Sequence, residues 1–282
     1  MTPPASSRTR KGRTTTRQAA RDFGRAAGGA LIFSLPMLMT MELWSLGLSM
    51  DRLRLLVLFC TSLPLLVQLS HYIGFEHTEG YCDDIADALM AIGVSAIICA
   101  GLLVLFGTIT RDSAPDEIIG KITVQMIPAA IGALLAKSEF AAKDEDEGPD
   151  CRETYGGELF LMGVGALFLG FNLAPTEEMV LISYQMTEWH ALLLVLLSLA
   201  LMHGFVFAVG FAGGSTISAD EPWWSAFVRF TLPGYAIAML ISLYLLWIFG
   251  RVDGLDHESV VMAMVVLAFP SAIGAAAARL IL

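Results

Sequence analysis

Eight apolar runs, each close to the length a helix needs to cross a bilayer, leave this chain little choice of fold. The hydrocarbon core is ~30 Å thick and a helix rises about 1.5 Å per residue, so about 20 apolar residues span it. The runs cover 27–48, 53–75, 84–109, 115–136, 157–173 with an extension to about 183, 189–212, 223–250 and 258–282. The expected fold class is all-α, a polytopic membrane protein with eight transmembrane helices. A hydrophobic fraction of 56%, only 16% charged residues and a mean hydropathy of +0.67 exclude an ordinary soluble domain.

Most connections are short and rich in turn formers, among them Ser-Met-Asp-Arg at 49–52 and Gly-Arg-Val-Asp-Gly at 250–254. The longer connector, 137–156, carries Lys-Asp-Glu-Asp-Glu-Gly-Pro-Asp. Gly148 falls where an EF-hand loop needs a ligand, so this segment reads as a solvated linker. The net charge of −10 hides a segregation: seven of the 17 basic residues lie in the first 25 positions, beside the first apolar run. Such a tail is a topology signal, not a nucleic-acid signal, and it predicts a cytoplasmic N-terminus. It has no cleavage pattern of a removable signal peptide.

The chain also repeats itself. A shift of 136 residues sets Gly29-Ala30-Leu31 on Gly165-Ala166-Leu167, Thr40 on Thr176, Glu42 on Glu178 and Gly74-Phe75 on Gly210-Phe211. A shift of 142 sets Pro128-Ala129-Ala130-Ile131-Gly132-Ala133 on Pro270-Ser271-Ala272-Ile273-Gly274-Ala275. The expected organisation is a basic tail (1–26), a four-helix repeat (27–136), the acidic linker (137–156) and a second four-helix repeat (157–282). Four crossings per half bring both repeats into the membrane in the same direction, related by a pseudo-two-fold axis along the membrane normal, with both termini cytoplasmic. An odd count would invert them.

Glu42 and Glu178 are the leading candidates for function, because a carboxylate in hydrocarbon is costly and by default marks an ion or proton path. Thr40 and Thr176 are the neighbouring hydroxyl ligands. Around them, Pro36 lies six residues before Glu42, and the segment Asn172-Leu173-Ala174-Pro175-Thr176-Glu177-Glu178 reads as a helix that stops and restarts, which membranes tolerate only in packed or wet surroundings. The competing reading is an interfacial glutamate that caps a helix and reaches headgroup water. At the cytoplasmic mouth, Asp83, Asp84 and Asp87 of the first half and Asp220 of the second gather cations or cap helices; Asp84 aligns with Asp220. No cofactor is expected beyond a divalent cation held by Glu42 and Glu178.

Other polar residues carry less. His71 and His77 are six apart, a poor spacing for a metalloenzyme, and His203 reads as a hydrogen-bonded packing histidine or a proton relay. Cys60, Cys82, Cys99 and Cys151 suggest no disulfide framework. No phosphate loop, nucleophile elbow or triad spacing is present, so no enzyme is expected. Lys121 and Arg229 are placed to snorkel to the interfaces. The small-residue faces at Gly132-Ala133 and Gly274-Ala275 are expected at the repeat interface or a homo-oligomer interface.

The stretches 36–44, 172–179 and 269–275 resemble an uncharacterised bacterial family of integral membrane proteins, known only as a domain of unknown function. The resemblance implies a bacterial inner membrane and no particular activity or site residue. The functional expectation from the residues is a cation channel or cation-coupled transporter for a divalent cation or protons, with the lipid bilayer and inorganic cations as partners. A non-transporting scaffold or sensor is the rival, and an integral membrane metalloenzyme comes third.

Overall fold

The computed structural model describes residues 16–73, 81–140, 154–212 and 223–281, and every regular element among them is helical. In order these are α1 (Thr16–Leu38), α2 (Met41–Ser49), α3 (Arg52–Ile73), α4 (Tyr81–Leu105), α5 (Pro115–Phe140), α6 (Tyr155–Leu173), α7 (Glu177–Gln185), α8 (Glu188–Ala212), α9 (Trp223–Ala226), a π-helical turn (Phe227–Thr231) running into α10 (Leu232–Ile248), and α11 (His257–Ile281). Among the described residues seven helices are long and apolar enough to cross a membrane, and α1 with α2 makes an eighth if that bent pair is one span.

The expected first crossing, 27–48, is not one helix: α1 and α2 meet at 85°. Pro36 sits in the last turn of α1 and offers no backbone donor, and Thr40 adopts extended geometry (φ −91°, ψ 125°). Its hydroxyl donates to the Met37 carbonyl at 2.8 Å, satisfying one of the acceptors that the ending helix frees. The extension of the fifth run to 183 is likewise a separate helix. There α6 ends at Leu173, Thr176 is extended (ψ 146°) and its hydroxyl donates to Leu173 O at 2.9 Å. The Arg251 guanidinium donates to the Pro175 carbonyl, so the second break is closed from outside its own segment. The two short helices have the same length, nine residues, and the same Thr N-cap position.

Helices α5 and α11 are the hubs. Of the apolar window of α5, 78% is buried inside the protein, against 11% for α8, which faces outward with Leu193 and Leu196 exposed. Association in lipid relies on close packing because the solvent is itself apolar. A Cβ on Gly29 would lie 2.5 Å from Gly132 O, and one on Gly165 would lie 2.5 Å from the Ala278 Cβ. The small-residue faces therefore pack α5 on α1 and α11 on α6, within each half. The faces expected at the repeat interface lie inside each half, while α5 itself borders the seam between the halves through Ile127.

The halves meet along a thinner seam. Arg54 of α3 makes two 2.7 Å hydrogen bonds to the Asp253 carboxylate and lies over the Trp247 ring. Thr61 and Tyr244 share a hydroxyl contact of 2.5 Å, and Tyr72 stacks on Phe160. Between α3, α5, α6 and α10 the seam leaves an apolar cavity of about 310 Å³, lined by Leu58, Leu65, Ile127, Phe160, Val164 and Ile241 among others.

Candidate functional site

Asp84 belongs to the first turn of α4, where a carboxylate complements the partial positive charge of a helix start. A helix turns about 100° per residue, so of the acids near this end one points inward: Asp83 is exposed, Asp87 half-buried and Asp84 1% exposed. Asp84, Ala88, Ala91, Ser95 and Cys99 form the buried face of α4. From the end of the antiparallel α3, His71 brings Nδ1 to 3.0 Å from Asp84 Oδ2, and its ring stacks on Tyr81 at 5.8 Å. Asp84 Oδ1 has no hydrogen-bond partner among the described residues. A carboxylate buried with one oxygen so placed costs several kcal/mol unless its charge is compensated.

The pair expected to lead is less enclosed. Glu42 is half-buried and Glu178 exposed, each in the first turn of its short helix, and neither lines the seam cavity. Thr40 and Thr176 spend their hydroxyl protons on the helix breaks. No group of three His, Cys, Asp or Glu able to hold a metal occurs among the described residues. Asp220, His77 and Cys151 lie outside the described residues. His203 Nδ1 meets Thr231 Oγ1 at 3.1 Å, against the π-helical turn.

Further polar groups lie deep in the first half. Gln125 of α5 is fully buried, and neither its amide nitrogen nor its oxygen has a hydrogen-bond partner among the described residues. Ser95 Oγ on α4 is in the same condition. Each such group costs about 1–3 kcal/mol unless water or a ligand meets it. Lys121 was expected to snorkel, yet it is 6% exposed, and its ammonium donates to Glu117 Oε1 at 2.5 Å and Thr108 O at 2.6 Å. Gly47 of α2 packs against the α5 backbone at Lys121, and the ammonium turns back to the first turn of α5 and the α4–α5 loop. The aligned positions of the second half lack this character: Gln125 corresponds to Leu267 and Lys121 to Ala263. The signal for Gln125 was available, as it is the one amide side chain in 115–136, but the apolar alphabet around it drew no weight.

Described residues that are all-helical, with seven or eight apolar spans, make this a multi-pass integral membrane protein. It belongs to the family described as "Putative integral membrane protein (DUF2391)", which it matches over residues 22–282, as the motifs at 36–44, 172–179 and 269–275 led one to expect. Neither a curated protein nor a solved structure matches the chain.

Proposed function

We propose that the protein moves a cation, a proton or a divalent ion, across the bacterial inner membrane, and that Asp84 with His71 is the binding site at one mouth. The observation that carries this reading is the burial of Asp84 beside His71 with Oδ1 left over. Carboxylate and imidazole attract cations and protons, and an acid kept inside a helical membrane bundle is expensive unless it is used. The wider frame is a duplicated scaffold of two four-helix repeats entering the membrane in one direction. Its support is the 136-residue correspondence of α2 with α7 and of their Thr caps, and the likeness of the Gly29–Gly132 contact to Gly165–Gly274, whose members are shifted by 136 and 142. The basic tail supports cytoplasmic termini, which places Asp84 at the inner mouth. Catalysis plays no part in this reading. Glu42, half-buried, and Glu178, exposed, serve as secondary acids of the outer face.

Reconstitution of the full chain in liposomes tests it, with internal dyes for protons and for divalent cations. Flux by the wild type that falls at least about tenfold in Asp84→Asn, and less in the Glu42→Gln/Glu178→Gln double variant, is expected. Unchanged flux in Asp84→Asn removes the site. Absence of both fluxes from the wild type leaves the scaffold or sensor reading in its place.

A further inference from the structure

We infer that the transported species is the proton, and that it crosses through the first half alone, along buried polar groups from Asp84 past Ser95 and Gln125 to the Lys121–Glu117 pair. The inference rests on the transport reading above and adds to it the route and the ion.

The route is read from helix register. Ser95 is eleven residues along α4 from Asp84, about 16 Å at 1.5 Å per residue, and on the same buried face. Between them that face shows Ala88, Ala91 and Val94, an apolar stretch that the inferred route needs water to bridge. Leu103 of α4 packs in one cluster with Ile118 and Ile122 of α5, which fixes the antiparallel register. It puts Ser95 and Gln125 within about 5 Å of one level. Gln125 is then one turn from Lys121, whose ammonium is held by Glu117 and Thr108 O. The buried polar groups thus mark one mouth, the middle and the other mouth of a single four-helix bundle.

The chemistry of the middle selects the ion. Buried amides and hydroxyls with unused hydrogen-bonding capacity hold water, and water handed along such groups carries protons. A divalent cation would need about six oxygen ligands, and the middle of the bundle supplies no carboxylate. Lys121, paired with Glu117 at the other mouth, would also repel a metal ion. In one passage the Asp84–His71 pair takes a proton and hands it to the first water, each water in the line accepts one and yields one, and Glu117 accepts the last and releases it at the other mouth. Nothing is oxidised or reduced, and the pair is then ready again.

The full-length chain in liposomes with a pH-sensitive dye inside and an imposed potassium diffusion potential decides the matter, because Gln125→Leu keeps volume while removing the amide. Expected is proton flux reduced about tenfold or more with a melting temperature in detergent equal to or above that of the wild type, since no hydrogen bond to another protein group is lost. Gln125→Met serves equally should the leucine variant fail to fold, and Ser95→Ala should lower flux in the same direction. Proton flux that depends on Asp84 but is unaltered in Gln125→Leu and Ser95→Ala overturns the route and leaves the transport reading standing. So does an Asp84-dependent divalent flux without proton flux. A melting temperature that falls with flux unchanged makes Gln125 a packing residue and also overturns it, whereas a silent wild type overturns the transport reading itself.

Discussion

Arg54 and Asp253 join the two halves through a paired guanidinium and carboxylate, and the Arg54 side chain is the more sheltered partner, 21% exposed against 55%. Hydrogen bonding to Arg54 holds the Asp253 carboxyl below its ordinary value of 3.8. The stabilisation that this pair gives is therefore present above that value and is lost as pH falls through the depressed one. Asp253→Asn should cost about 0.2–1 kcal/mol, the range of exposed pairs, and should flatten the acid limb of a melting-temperature profile taken between neutral and strongly acidic pH. A profile identical to that of the wild type would show that the seam is held by packing alone. The same scale explains why Asp84 was only partly legible. The acids at 83, 84 and 87 are equivalent as letters, and only rotation about the α4 axis sends one of them inward against α3.

Whole helices show where small residues matter. Gly28 and Gly29 are neighbours in α1, yet a Cβ on Gly28 meets nothing within 4 Å, whereas one on Gly29 meets the α5 backbone. Gly28→Ala should be neutral or stabilising by about 0.5–1 kcal/mol, as for glycine in a helix interior. Gly29→Ala should cost about 1–3 kcal/mol by overpacking, read from thermal unfolding in detergent. Equal effects of the two would mean that α1 and α5 do not pack as described. The breaks after Leu38 and Leu173 belong to the same scale. The second was visible in Ala-Pro-Thr at 174–176, but the first was hidden because Leu-Met-Thr-Met at 38–41 contains no turn former, and Pro36 precedes it inside the helix.

At the scale of the whole protein, orientation is the quantity to measure. Cys82, at the start of α4, is exposed, and Asp112 lies exposed at the other end of the same bundle, between α4 and α5. In a Cys151→Ser background, a membrane-impermeant thiol reagent applied to intact spheroplasts should leave Cys82 unlabelled and should label Asp112→Cys. The reverse pattern would place the basic tail outside and turn the proposed proton path around.

The order of residues was enough to establish a helical membrane chain with eight apolar runs, a basic leading tail and an internal likeness at 136 residues. Those properties depend on composition and period, which a linear string records in full. Tertiary structure decided which polar groups are enclosed: Asp84 and not Asp83, Gln125 and Lys121 in the first half, Glu42 and Glu178 toward the surface. Enclosure depends on the angle at which each helix meets its neighbours. That angle follows from contacts such as Gly29 on Gly132 and Gly47 on Lys121, which join residues far apart in the chain.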